Sequence, residues 1–198
     1  MNRLMIALLL FSLNVAGQVS IISGKYRELN LAFDTERNII TGFYENTTGY
    51  DEEIKAPKFS CAFYIEGKLS ANKIKIKTYF PLYIKDDMIV GDLIVSSNKE
   101  IKLHLPEEHG GCWNVVHFAD ENVAFSLDKA ENWIQIRYAN IDKVYFHSNK
   151  SNETRQKAFI IKGDVVYIEK IEGQWAFCIY EGNKITKGWI KLDELNQL

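Results

Sequence analysis

The chain carries 24 lysine and arginine residues against 26 aspartates and glutamates over 198 positions, a formal charge of −2, so it has no overall basic field for holding nucleic acid. Its 46% hydrophobic and 13% aromatic residues are ample for packed cores, and its length suits one large or two small domains. Three prolines, glycines at turn positions and many Tyr, Phe, Ile and Val residues describe a β protein, and no repeat of a solenoid's period is present.

Residues 1–17 have the three-part build of a secretory signal: Arg3, an apolar run from Leu4 to Leu13, and the small residues Ala16 and Gly17 before Gln18. The run is too short to span a bilayer, which takes about 20 residues, so removal is expected, with Val15 and Gly17 suiting the peptidase. Cleavage changes the formal charge from −2 to −3, because one basic and no acidic residue is lost. No cysteine follows the apolar run, so a lipid anchor is not expected, and neither is stable membrane insertion after the leader is gone. The expected location is periplasmic or secreted.

Further along, Lys25–Phe33 alternates loosely, Asp34–Asn38 turns and Ile39–Glu45 returns, which predicts a hairpin. Strands follow at Phe59–Glu66, Lys73–Phe80, Met88–Val95 and Glu100–Leu105. In Lys73-Ile74-Lys75-Ile76-Lys77 the period of two sends both isoleucines to a core and the lysines to solvent. Pro106–Asn114 is a turn-rich loop around Gly110-Gly111, and strands near Asn122–Leu127 and Trp133–Tyr138 complete the first unit. Residues 18–138 therefore read as one β-rich domain, an antiparallel meander forming a small barrel or sandwich. Its architecture is similar to that of lipocalin-like or sandwich secreted proteins.

The C-terminal segment has a more distinctive pattern. Ala158–Ile161 leads into Lys162-Gly163-Asp164 and the strand Val165–Glu169; Glu172-Gly173-Gln174 turns into Trp175; Gly188-Trp189-Ile190 closes the segment, and Asp193-Glu194-Leu195 follows. This resembles a bacterial SH3-type domain over residues 142–198, with Val166, Ile168, Cys178 and Ile190 as its small core. The resemblance implies a shallow aromatic groove, here Tyr145, Trp175, Tyr180 and Trp189, and as ligand a cell-wall peptide or an envelope protein. Trp175 and Trp189 either line that groove or cap the barrel. The family's Asn-Val-Arg and Gly-Pro-Ser pattern is absent from Tyr145–Ser151, so no ligand contact is carried over from that loop. The whole is expected to be an all-β, non-catalytic binding protein.

Other chemistry is sparse. Cys61 and Cys112 form a candidate disulfide if the loop folds back over the strand that carries Cys61; Cys178 is expected to be a buried thiol. His104, His109 and His117, with Glu107 and Glu108, lack the close spacing of a zinc site, and no metal or cofactor is expected. A Cys112 nucleophile beside His109 or His117 would define a Cys/His-dependent hydrolase, and the Pro106–Asn114 loop or the acidic turns could instead serve an immunity or inhibitor protein against a secreted toxin or hydrolase.

Overall fold

The computed structural model describes residues 21–69, 73–83 and 87–198, so the expected leader, residues 1–17, lies outside the described residues. The architecture is all-β. Strands β1 (Gly24–Tyr26), β2 (Leu29–Asp34), β3 (Ile39–Asp51), β4 (Ala56–Lys68), β5 (Lys73–Tyr79), β6 (Ile89–Ser97), β7 (Glu100–His104), β8 (Val123–Ser126) and β9 (Lys129–Ala130) make one antiparallel sheet in the order β8-β7-β6-β5-β4-β3-β2-β1-β9. Each strand from β1 to β8 pairs with its sequence neighbour, as a meander requires. Ile74 and Ile76 are buried between exposed lysines.

The Lys25–Phe33 run is not one strand. It folds back on itself as β1 and β2, with Tyr26 opposite Leu29 and Arg27 in the left-handed region at φ 56°. A non-glycine residue seldom accepts that conformation, and no Gly, Pro or Asn marks the reversal. The next turn is legible: the Asp34 carboxylate accepts the N–H groups of Glu36 and Arg37, and Asn38 takes φ 57°.

The sheet curls into a half-barrel, and the chain itself joins its rims. Only Leu127 and Asp128 separate β8 on one edge from β9 on the other. Leu127 donates its N–H to Lys99 O at 2.8 Å and Asp128 to Lys25 O at 2.8 Å. The interior is filled: Phe118, from the loop between β7 and β8, meets Tyr44 and Phe63 at centroid distances of 5.1 and 5.3 Å.

Strands β10 (Gln135–Tyr138), β11 (Lys143–His147), β12 (Arg155–Ile161), β13 (Val165–Glu172), β14 (Trp175–Glu181) and β15 (Ile185–Lys191) form the second sheet, ordered β10-β13-β14-β15-β11-β12. Its core contains Val166, Ile168, Cys178 and Ile190 together with Val144 and Phe146. Cys178 is free and buried, and burial pushes its thiol pKa upward.

The strand assigned by sequence to the end of the first domain belongs to this second sheet: Gln135 to Tyr138 pair with Ile168 to Val165. The second sheet therefore takes up residues 135–138, which the sequence pattern assigns to the first unit. The four residues of β10 are all buried, and its outward groups are held by side chains. Ile136 donates its N–H to Thr41 Oγ1 at 2.7 Å and accepts at its carbonyl from the Tyr64 hydroxyl at 2.8 Å; Tyr138 donates its N–H to Asn196 Oδ1 at 2.9 Å. An edge strand that would otherwise expose unpaired groups is thus closed by the first sheet and the C-terminal residues. Trp133 stacks on Tyr167 at 4.1 Å, and with Ala32, Tyr64, Tyr79 and Ile179 forms an apolar layer between the sheets.

Beside that layer, the nearly buried Asp34 carboxylate accepts from the Gln135 amide and from the Arg37 guanidinium. Burial raises its pKa, but hydrogen bonds from Arg37 and Gln135 outweigh this, and the net position is below the usual carboxylate value. A depressed folded-state pKa contributes stability above the unfolded value near 3.9, and that contribution is lost as pH falls through the folded value. In urea titrations, wild type should therefore lose stability more steeply than Asp34→Asn below about pH 4. Parallel acid limbs for the two proteins would contradict this account.

Candidate ligand-binding face

Strand alternation sorts the expected groove residues. In β14, Ala176 and Cys178 enter the core, so Trp175 and Phe177 point outward. Phe177 is paired with Trp189 of β15, with ring centroids 5.4 Å apart, and Trp189 is paired with His147 of β11. His147 lies edge-on to Trp175 at 5.0 Å and is fixed by a hydrogen bond of 2.9 Å between Nδ1 and Ser151 O. Two residues earlier on the same strand, Tyr145 meets Phe159 of β12 at 5.9 Å. Trp175, Trp189 and Tyr145 thus share one face across the three neighbouring strands β14, β15 and β11, with Phe159 of β12 beside them.

Tyr180 is not on it. Tyr180 lies five positions after Trp175, an odd offset that places its side chain on the other side of β14, where it packs against the second core. It also lines a polar cleft of about 480 Å³ between the sheets, with Asp164, Tyr167 and Glu181. The period of two in Trp175–Tyr180 already carried this distinction. The same period identifies Phe177, whereas Phe159 and His147 join the face only through long-range pairing.

The rings are dressed with cations. Lys150 and Lys170 lie over Trp189, Lys191 over Trp175, Lys143 over Tyr145 and Phe159, and Arg155 over Tyr145. Glu172, on the same face, pairs with both Lys150 and Lys170. These lysines hold the Glu172 carboxyl below its ordinary pKa.

Cys61 and Cys112 are joined, with Cα atoms 4.4 Å apart across a separation of 51 residues. The loop can approach β4 this closely because Gly111 takes φ 86° and a Cβ there would collide with the Ser60 carbonyl. Next to the bridge, His109 is buried, stacked on Phe63 at 4.8 Å, with Nε2 2.8 Å from Thr78 Oγ1 and Nδ1 3.0 Å from Asp87 Oδ1. His117 instead lies against Trp113, half exposed, and His104 faces Asp92 across the β6–β7 ladder. The histidines occupy separate surroundings, and among the described residues no three His, Cys, Asp or Glu side chains converge as metal ligands. Cys112, bridged, has no thiolate to offer as a nucleophile.

Among the described residues no helix is long and apolar enough to cross a membrane. Comparison with protein-family models, curated proteins and solved structures returned no match.

Proposed function

We propose that this is an exported, non-catalytic binding protein, periplasmic or secreted, whose C-terminal SH3-like domain recognises a cell-wall peptide or an envelope protein. The observation that carries this reading is the gathering of Tyr145, Trp175 and Trp189 on one face of the second sheet. Aromatic side chains present large contact area at small conformational cost, which is why they dominate binding energetics at recognition surfaces. The Cys61–Cys112 bridge supports an oxidising compartment. The short strands wrapped around a small core fit the SH3-like expectation for residues 142–198.

Sedimentation with purified peptidoglycan sacculi provides the test. Wild type should be retained, and Trp175→Ala and Trp189→Ala should each weaken retention by about tenfold or more. Absence of wild-type retention, or full retention of both variants, defeats the proposal.

An inhibitor or immunity role is favoured by one separate observation: the bridged loop holds Trp113 at 60% exposure. It becomes the better reading if Trp113→Ala, and neither groove variant, abolishes capture of a secreted hydrolase.

A further inference from the structure

We propose that the aromatic face takes an extended, carboxylate-rich peptide, with its rings serving to hold cations in place for the ligand's acidic groups. This rests on the reading of that face as the binding surface and adds the chemistry of what it binds.

Five cations are seated on rings. Lys143 Nζ is 3.9 Å from the Phe159 centroid, the Arg155 guanidinium 4.6 Å from that of Tyr145, Lys170 and Lys150 5.0 and 5.3 Å from that of Trp189, and Lys191 5.7 Å from that of Trp175. Lys187, exposed and paired with Ile179, adds a sixth charge on the same side of β15. Among the carboxylates at the face, Glu172 is shared between Lys150 and Lys170, Glu194 lies near Lys191 and His147, and Glu181, at the far end, is engaged by Lys25 at 2.7 Å. A chain of formal charge −2 therefore concentrates positive charge on one sheet surface, and such a surface complements an anion.

The arrangement also selects among anions. Trp189 is only 8% exposed because ammonium groups and Phe177 cover it, so a nucleobase or sugar ring has little open indole on which to stack. Carboxylates need no ring face; they need donors already in position. Lysine is ordinarily a flexible side chain whose ordering opposes binding, and seating it on an aromatic ring beforehand lowers that cost. Three strand spacings of about 4.8 Å separate β14 from β12, roughly 14 Å in all, a distance that four or five extended residues cover at about 3.3 Å each. A short strand-like peptide with acidic side chains at alternate positions matches this span and charge.

Calorimetric titration of the purified protein with the blocked pentapeptide Glu-Leu-Glu-Leu-Glu tests the proposal, with Gln-Leu-Gln-Leu-Gln and a single-stranded oligothymidylate as comparators. The acidic peptide should bind at least about tenfold more tightly than the neutral one, and added salt should weaken it. The double variant Lys170→Gln, Lys191→Gln should lose about tenfold in affinity for the acidic peptide while melting like wild type, since both side chains lie on the surface. Equal binding of the two peptides, no binding of the acidic one, or tighter binding of the oligothymidylate overturns the assignment. Failure of this proposal is separable from failure of the binding reading. Retention on sacculi that the acidic peptide does not compete overturns the ligand class alone, whereas acidic-peptide binding without sacculus retention supports the ligand class and defeats the cell-wall target.

Discussion

Trp133→Ala should destabilise the protein by about 3–5 kcal/mol, the cost of emptying a large aromatic site, and lower its melting temperature by on the order of 10 °C. The reason lies in what Trp133 touches. It is 3% exposed, stacks on Tyr167 of the second sheet and packs in the same layer as Ala32 and Tyr64 of the first. Around this layer the sheets exchange polar contacts: Asn30 donates to the Tyr167 hydroxyl at 2.9 Å, the Gln135 amide to the Asp34 carboxylate, and the Tyr64 hydroxyl to the Ile136 carbonyl at 2.8 Å. Wild type should consequently unfold in one cooperative transition, while the variant should show two, as the sheets lose their shared layer and melt separately. Calorimetry decides this. Two transitions already present in wild type would show that the layer does not couple the sheets.

The second large effect is expected from the bridge. Cys61→Ser with Cys112→Ser should cost about 4 kcal/mol, the chain-entropy value for a loop of this length. Because Cys112 and Phe118 share the half-barrel core with Phe63, loss of the bridge should loosen the loop selectively, and amide exchange should quicken between Leu105 and Phe118 more than in β2 or β3. Denaturant titration with and without reductant measures the same difference in the wild-type chain. Equal midpoints in the two conditions would show that the bridge contributes no stability.

Local patterns in the chain were legible to the extent that they are local. The lysine–isoleucine alternation of β5 specifies both a strand and its buried side, and Gly110-Gly111 followed by Cys112 marks a loop able to press against β4. Gly163, at φ 91°, and Gly173, at φ 62°, sit where the pattern of residues 157–175 places reversals. What escaped depends on distant partners. Gln135–Tyr138 looks like a strand from its composition, but only pairing with β13 and the side chains of Thr41, Tyr64 and Asn196 decide which sheet receives it. The Arg27 reversal has no turn residue because β1 is fixed from outside: its far edge pairs with β9, and Asp128 Oδ2 accepts the Arg27 N–H at 3.0 Å. The aromatic face was visible in part. Its tryptophans are in the sequence pattern, whereas Phe159, Lys143 and Arg155 meet Tyr145 only after β11 and β12 pair, and Lys150 and Lys170 reach Trp189 only once β13, β14, β15 and β11 are assembled.

The Leu127-Asp128 link has a consequence for biogenesis. Strands β1 to β7 are complete in the growing polypeptide before the segment that fastens the two rims exists. During that interval both margins of a broad sheet are bare and able to recruit another strand. Synthesis of a few more residues lays the short strands β8 and β9 over the two margins and ties them together through residues 127–128, so β7 and β1 are covered by a single short stretch of chain and less edge is left for recruitment.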